Sequence, residues 1–376
     1  MKIYIKMMQQ FIKKEVVLCI SGLVAILSMF FLPPSLNYIT YIDFRVLSLL
    51  FCLMAVVAGF NKTGLFLLLS EKLLNKVANI RSLALVLIML CFFSSMWITN
   101  DVALITFVPF AILILTKTGQ TKHILFVVVL QTIAANLGSM LTPIGNPQNL
   151  YLYSTYNVPI IEFFKITLPF TVISLVLLCI SIFMIRKEHL SFTLSSSEKA
   201  DKHKPHTIAL YSGLFLVCFA CVIRLMDYRI TFFVVISSIL IFDRRILKKV
   251  DYSLLLTFVC FFLFVGNIGN ITAVKQFLST LLEGKEFLVS MLASQIISNV
   301  PAAILLSAFT NNYKELILGT DLGGLGTLVA SLASLISYKF YSRTVDAKPW
   351  KYLGLFTLYN ILFLITLCLC YWLMNL

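Results

Sequence analysis

Long apolar runs recur along the whole chain, and polar residues are largely confined to the short stretches between them. A helix needs about 20 consecutive apolar residues to cross a bilayer. Such runs predict membrane spans at about 16–32, 45–60, 165–185, 207–225, 230–242, 252–270 and 352–374. The first run follows four lysines as a signal sequence would, but two prolines follow it in place of a small-residue cleavage site. We therefore interpret it as a retained span.

Four further apolar segments contain a polar break. Irregular backbone at membrane depth is tolerated only where protein buries it or where it lines a cavity. Residues 81–116 and 287–311, approximately, have an apolar arm on each side of the break and are predicted to be re-entrant hairpins. Residues 123–150 and 314–337, approximately, are predicted to be transmembrane helices broken at glycine and proline residues. The predicted fold class is an all-α polytopic membrane protein, with an interfacial helix at 61–79.

The positions of Lys and Arg test this arrangement, because cytoplasmic loops carry the excess of positive charge. If the N-terminus is cytoplasmic and each hairpin returns to the side from which it entered, most of the 30 basic residues lie on cytoplasmic segments. If residues 81–97 instead crossed the membrane, the later loops would change sides and Arg244 to Lys249 would face outward. We therefore expect re-entrant hairpins, a cytoplasmic N-terminus and a C-terminus on the outside.

The two halves of the chain repeat one another at three places. The matched segments are Asp43 and Asp251, Thr99-Asn100 and Ser298-Asn299, and Asn136 to Thr142 and Asp321 to Thr327. In the expected topology the span after Asp43 runs inward and the span after Asp251 runs outward. We therefore predict two inverted repeats, residues 1–185 and 207–376, joined by a polar cytoplasmic linker at 186–206. Inverted repeats give a physical route to alternating access.

The breaks carry the candidate chemistry. Each break exposes a half-helix C-terminus, whose carbonyl groups suit a cation, and a half-helix N-terminus, whose N–H groups suit an anion. A lone Asn in a span usually serves only helix packing, but breaks at two matching places favour a binding site. Asp101 is expected to face a cavity, a cation or a proton, or else to pair with the free N–H groups of its own helix. Asp321 is a weaker copy, because it lies nearer Lys314 and is expected to be closer to the surface.

Composition excludes several classes of function. The chain is 60% hydrophobic and 12% charged, unlike a soluble domain. Its net charge of +14 follows from the basic loops and does not indicate a nucleic-acid partner. No catalytic residue is predicted, because metalloprotease, hydrolase and phosphate-binding motifs are missing from the sequence. No Lys or Arg lies between Arg81 and Lys117 or between Lys285 and Lys314, so an anion near the breaks would need Na⁺ or H⁺ to offset Asp101.

Three runs resemble the ion transporter superfamily, which includes arsenite permeases, citrate transporters, divalent-anion/sodium symporters and some sodium/proton antiporters. The runs are WITNDVALITFVPF (97–110), ANLGSMLTPIGNPQNLYL (135–152) and SNVPAAILLSAF (298–309). Members are secondary transporters and often dimers, so the resemblance implies transport and a homodimer. In its carboxylate symporters, Ser-Asn-Thr motifs at both hairpin tips bind Na⁺ and substrate. In this chain, Asp101 and Val300 occupy the positions where the motif has its Thr. The resulting Thr-Asn-Asp sequence at the first tip is more similar to the arsenite-permease and antiporter branches.

The resemblance, together with the breaks, predicts one substrate and ion site. Its residues are Thr99, Asn100, Asp101, Thr142, Pro143, Gly145, Asn146, Ser298, Asn299, Gly324 and Thr327, with Na⁺ at Asn100, Asp101 and Asn299. The leading hypothesis is a cation-coupled secondary transporter. It would move a small inorganic or organic anion or an oxyacid, such as a carboxylate, a citrate-like ion or an arsenite-like species, across the plasma membrane. Na⁺ or H⁺ is the coupling ion, and no other cofactor is expected. The alternatives are a Na⁺/H⁺ antiporter with Asp101 as proton carrier and an ion channel.

Overall fold

The computed structural model of the chain describes residues 15–64, 77–188 and 205–374. The N-terminal lysines, most of the predicted interfacial helix and most of the predicted linker lie outside these residues. Within the described ranges the chain forms α-helices joined by short turns, as predicted.

Before the linker, the helices match the predicted spans and arms, except for the four-residue helix Tyr38–Tyr41, which was not predicted. They are α1 (Val16–Ser28), α2 (Tyr38–Tyr41), α3 (Phe44–Thr63), α4 (Ile80–Ile98), α5 (Asn100–Lys117), α6 (Ile124–Ser139), α7 (Pro147–Thr155) and α8 (Ile160–Phe183). The first predicted hairpin is α4 and α5, and the first broken helix is α6 and α7. A 3₁₀ turn at Thr121–His123 leads into α6.

After the linker, the helices follow the same order. They are α9 (Pro205–Val222), α10 (Tyr228–Phe242), α11 (Tyr252–Gly269), α12 (Thr272–Leu282), α13 (Glu286–Ile297), α14 (Asn299–Ser307), α15 (Tyr313–Leu322), α16 (Leu332–Tyr341) and α17 (Pro349–Met374). The second hairpin is α13 and α14, and the second broken helix is α15 and α16. A 3₁₀ segment, Arg244–Lys249, joins α10 to α11.

Two aspartates fix the starts of corresponding helices. The Asp43 carboxylate accepts the Val46 N–H at 3.0 Å ahead of α3, and the Asp251 carboxylate accepts the Leu254 N–H at 3.0 Å ahead of α11. The backbone angles agree as well, with φ −81° and ψ 92° at Asp43 and φ −80° and ψ 86° at Asp251. Both residues therefore act as helix N-caps, each of which contributes about 1 kcal/mol to stability.

Seven described helices are long and apolar enough to cross a bilayer, judged by length and composition. They are Phe44–Thr63, Ile80–Ile98, Asn100–Lys117, Thr121–Ser139, Ile160–Phe183, Tyr252–Gly269 and Pro349–Met374. The protein is therefore a multi-pass membrane protein. Apolar side chains on α8 and α17, such as Phe183, Leu362 and Trp372, remain exposed, as contact with lipid requires.

The two hairpins differ in the length of their helical arms. The arms α4 and α5 contain 19 and 18 residues, and by length each could cross the membrane. The arms α13 and α14 contain 12 and 9 residues. At 1.5 Å per residue they are about 18 and 14 Å long, well below the ~30 Å of a hydrocarbon core. These lengths fit a re-entrant second hairpin, whereas the re-entrant course of the first stays a prediction.

The hairpins pack against broken helices from the opposite half. The arm α5 packs against α16, and the arm α14 packs against α7. Within the halves, α4 packs along α6 and α13 along α15. The hairpin tips therefore lie at the centre of the bundle, between the breaks of both long helices.

Two features after the linker differ from the predictions. The short helix α12 was not expected, because its 11 residues include Lys275 and Gln276 and are too few for a span. The second break was expected at 323–327 but continues to Ser331, and α16 begins at Leu332. The apolar residues Leu328 to Ala330 resemble helix in sequence, yet they form a turn closed by the Ala330 N–H on the Thr327 carbonyl at 3.2 Å.

Candidate functional site

Each hairpin turns at one residue with an unusual backbone conformation. Thr99 has φ 68° and ψ 151°, and Ser298 has φ 72° and ψ 155°. This region of backbone space is relaxed essentially only for glycine, so each residue stores roughly 1–3 kcal/mol of strain. The near-identical angles at Thr99 and Ser298 agree with the match between the two segments in the sequence.

Each tip is fixed to the break of its own half. The Asn100 N–H donates to the Gly145 carbonyl at 3.1 Å, and the Asn299 N–H donates to the Ala330 carbonyl at 3.0 Å. The side chains of both asparagines fold back on the next residue, because each Oδ1 accepts the following backbone N–H at 2.9 Å. Both asparagines are only 5% exposed. The Asn100 Nδ2 group donates to Asn136 Oδ1 at 3.0 Å, and the Asn299 Nδ2 group lies beside Gly324.

Two threonines connect the breaks to the ends of the hairpin arms. The Thr142 hydroxyl donates to the Met96 carbonyl, and the Thr327 hydroxyl donates to the Gln295 carbonyl at 3.1 Å. Thr142 is buried, whereas Thr327 is exposed. In both halves the predicted site threonine therefore holds the backbone of the break in place.

Two predicted glycines allow close approach inside the breaks. A Cβ on Gly145 would lie 2.0 Å from the Ser139 carbonyl oxygen, so only glycine fits there. A Cβ on Gly324 would lie 3.2 Å from Asn299 Nδ2. The neighbouring Pro143 is buried in the first break. These residues shape the breaks so that the tips can reach them.

Gln295 is a central residue that the sequence analysis missed. Its Nε2 donates to the Gly323 carbonyl at 2.8 Å and the Leu325 carbonyl at 2.7 Å, and its Oε1 accepts the Thr327 N–H at 3.0 Å. It thus pairs three backbone groups that the break leaves without helical partners. The matching residue in the first half is Met96, so the internal repeat did not single it out. The sequence feature that could have identified Gln295 is its position as a lone carboxamide within an apolar hairpin arm.

The two breaks meet through side chains of both halves. Asn136, at the end of α6, accepts hydrogen bonds on Oδ1 from Asn100 at 3.0 Å and Ser331 at 3.1 Å. At the end of α15, Asp321 accepts one on Oδ1 from Asn146 at 3.3 Å. Asn136 corresponds to Asp321 and Asn146 to Ser331, both at an offset of 185 residues. The same contact between halves is thus made twice with the roles exchanged.

These contacts bring most of the predicted residues together. Asn100 of the first tip donates to Asn136, which also accepts a hydrogen bond from Ser331. The carbonyl of Ala330, the residue before Ser331, accepts the N–H of Asn299 at the second tip. Thr99, Asn100, Ser298, Asn299, Asn146 and Gly324 therefore belong to one cluster.

Asp101 lies in the first turn of α5 and is partly exposed. In the described residues, no donor lies within hydrogen-bonding distance of its carboxylate, and the N–H groups beside it pair with Gly145 and Asn100. The expected pairing of Asp101 with its own helix terminus is therefore not observed.

The expectation that Asp321 lies near the surface was wrong, because Asp321 is only 2% exposed. Lys314 lies two helical turns away and pairs instead with Glu162 at 3.2 Å. The tips and breaks therefore contain two carboxylates, Asp101 and Asp321, and no Lys or Arg. Any anion bound there would depend on helix N-termini, amide groups and an added cation.

Proteins with similar sequences include two named as transporters and one named as a membrane protein. The sequence model of a family described as "Citrate transporter" matches residues 4–315. A Methanocaldococcus jannaschii protein named "Uncharacterized transporter MJ0456" is 31% identical over 314 residues, which cover 83% of this chain and 85% of the relative. "Inner membrane protein YbiR" of Escherichia coli is 29% identical over 317 residues, 82% of each chain. A second M. jannaschii protein, "Uncharacterized transporter MJ0672", is 26% identical over 121 residues, 32% of this chain and 28% of its own.

Proposed function

The chain belongs to the citrate transporter family, and from this membership we propose that it is a secondary active transporter of a small anion or oxyacid in the plasma membrane. Transport is coupled to Na⁺ or H⁺ and proceeds by alternating access. The observation that carries the proposal is the single buried cluster in which both hairpin tips and both helix breaks meet.

Inverted repeats supply the proposed mechanism. The equal backbone angles at Thr99 and Ser298 and the exchanged contacts of Asn136 and Asp321 support two related halves, residues 1–185 and 207–376. Two such halves in opposite orientations can exchange conformations and open the cluster to each side in turn.

The anion is held by neutral groups. Four helices begin at the cluster, namely α5, α7, α14 and α16, and helix N-termini attract negative charge. The amide group of Asn299 lies at the second tip beside Gly324, and the amide group of Asn100, which donates to Asn136 in this structure, lies at the first tip. The family description makes a citrate-like carboxylate the first substrate to test, and an arsenite-like oxyacid the second. A cation must enter with a charged anion, because Asp101 and Asp321 would otherwise repel it.

Uptake into proteoliposomes tests the proposal. The purified chain is reconstituted, and radiolabelled citrate and other small anions are supplied under an imposed Na⁺ or H⁺ gradient. We expect saturable, gradient-driven uptake that Asn100→Ala and Asn299→Ala each abolish without loss of membrane insertion. Asn360→Ala is the matched control, because Asn360 is a buried asparagine in α17 whose amide donates to the Phe356 carbonyl within that helix. Wild-type uptake in both tip variants would refute the site.

A Na⁺/H⁺ antiporter is the second candidate, and the two carboxylates without a basic partner in the cluster favour it. Vesicles loaded with a pH indicator would then show Na⁺-driven proton efflux without any added anion. Asp101→Asn should abolish or alter that response. Proton movement that requires the anion would support symport instead.

A further inference from the structure

A cavity of about 490 Å³ lies between the start of α8 and the start of α15. The residues that line it are Pro159, Ile161, Glu162, Lys165, Ile166 and Lys314. None of these lining residues belongs to the hairpin tips or to the helix breaks. The cavity is therefore a second place where an element of the first half meets an element of the second half.

The lining of this cavity carries more positive than negative charge. Glu162 forms an ion pair with Lys314 at 3.2 Å and accepts a hydrogen bond from the Tyr313 hydroxyl at 2.7 Å. Lys165 is exposed, and among the described residues it forms no ion pair. Because the Glu162 carboxylate is already shared by two donors from α15, the charge on Lys165 remains to be balanced. A ligand with a single negative charge would complement it.

The start of α8 adds backbone donors to the same cavity. Pro159 is the N-cap of α8, and it has no side-chain oxygen that could accept an N–H group of the first turn. Ile161 and Glu162 lie in that turn, and both residues line the cavity. Free N–H groups at a helix start together with lysine ammonium groups are the donors that suit a phosphate group.

An apolar stripe on α8 leads away from the cavity. Its side chains, which are 48% to 68% exposed, are Ile161, Leu168, Val172, Val176 and Ile180. Lys165 lies in the same row, because residues three or four apart share one helix face. From Leu168 to Ile180 the stripe extends about 18 Å at 1.5 Å per residue, close to the ~15 Å depth of one leaflet of the hydrocarbon core. A small soluble anion would make no contact with this stripe, whereas acyl chains would lie along it.

We propose that this cavity binds an anionic phospholipid. Lys165, Lys314 and the first turn of α8 hold its phosphate group, and its acyl chains lie along the apolar stripe. Lysine side chains extend from apolar surface to the level of the head groups, and basic pockets between transmembrane helices suit acidic head groups. An ammonium group has three donors, so Lys314 can contact the phosphate while it stays paired with Glu162. The bound lipid strengthens the contact between α8 and α15, and the site does not depend on what the protein transports.

Thermal unfolding of the purified full chain in micelles of a neutral detergent tests the site. Phosphatidylglycerol replaces phosphatidylcholine with the same acyl chains while total lipid is held constant. We expect the unfolding temperature to rise with the fraction of phosphatidylglycerol and then to saturate. Lys165→Gln should raise the half-saturating fraction about fivefold, the equivalent of about 1 kcal/mol for one lysine near a membrane surface. Lys165 is exposed and unpaired, so this variant should fold.

Lys275→Gln is the matched control. Lys275 is an exposed lysine on α12, two residues from the exposed Phe277, and it does not line the cavity. This variant should keep the wild-type titration. An equal shift in Lys275→Gln and Lys165→Gln would show attraction to surface charge in general, and it would overturn the site.

Two other results would also overturn the proposal. One is a wild-type protein that phosphatidylglycerol stabilises no more than phosphatidylcholine does, and the other is an unchanged titration in Lys165→Gln. A further arm supplies glycerophosphoglycerol, the same head group without acyl chains. We expect no rise in unfolding temperature at matched concentrations. An equal rise would identify a site for soluble phosphate compounds, and the lipid assignment would be wrong.

Discussion

Replacement of Gln295 by Met removes the polar contacts that close the second helix break while keeping side-chain volume. Met is also the residue at the matching position, 96, of the first half. Gln295→Met loses the bonds donated to the Gly323 and Leu325 carbonyls and the one accepted from the Thr327 N–H, together with a longer contact to the Met291 carbonyl at 3.5 Å. Each such bond contributes about 1 kcal/mol net. We therefore expect the free energy of unfolding to fall by about 3 kcal/mol.

The assay is denaturant-induced unfolding of the purified protein in mixed micelles, together with uptake of the transported anion. Gln131→Met is the matched control. Gln131 is buried and donates to the Leu87 carbonyl at 3.0 Å and to the Phe107 carbonyl at 3.4 Å, but these carbonyls lie inside the intact helices α4 and α5, where each has a helical partner of its own. The control should therefore lose no more than about 1 kcal/mol. Equal losses in the two variants, or a loss below about 0.5 kcal/mol in Gln295→Met, would refute the role of Gln295 in closing the break.

Three further predictions use the same unfolding assay. Gly145→Ala should lower the free energy of unfolding by more than about 2 kcal/mol and abolish uptake, because the added Cβ would overlap a carbonyl oxygen. Gly213→Ala in α9 is the control: it has open space around it and should raise the free energy of unfolding by up to about 1 kcal/mol through helix propensity. Equal effects would refute the steric argument. Thr99→Gly should raise stability by about 1 kcal/mol, because glycine relaxes its backbone strain, and a loss would refute that strain. The hydrogen bond from Lys122 lowers the pKa of Glu188 below its ordinary 4.5, so this pair stabilises the fold above that pH and its contribution disappears as the pH falls. Lys122→Gln should therefore flatten the stability profile below pH 5, and an unchanged profile would refute the pairing.

The sequence predicted the fold closely where the physical signal is local. Glycine and proline residues close together disfavour a continuous helix, and accordingly α6 ends at Ser139, α7 begins at Pro147 and α15 ends at Leu322. The start of α16 was missed, because Leu328 to Ala330 are apolar and nothing in their side chains prevents a helix. Their backbone is held by contacts from elsewhere, above all the bond from the Asn299 N–H to the Ala330 carbonyl.

The residues that meet at the tips and breaks were predicted in part, whereas their role in binding stays a prediction. Residues at the tips could be found because Asn in an apolar arm is rare and the two tips resemble each other. Gln295 and Asp321 could not be ranked correctly, because their importance depends on partners far away in the chain. Sequence proximity to Lys314 suggested a surface position for Asp321, but Lys314 turns to Glu162 and leaves the carboxylate inside.

The unequal hairpins have a consequence for kinetics. One hairpin has arms of 19 and 18 residues and the other has arms of 12 and 9. Under the proposed inverted topology, in which the hairpins enter from opposite faces, the protein walls that separate the cluster from the two aqueous phases would differ in thickness. A carrier built this way has different entry and exit paths on its two faces. The substrate concentration that half-saturates transport can then differ widely between the inside and the outside. The final ratio of substrate concentrations across the membrane still depends only on the ion gradients that drive transport.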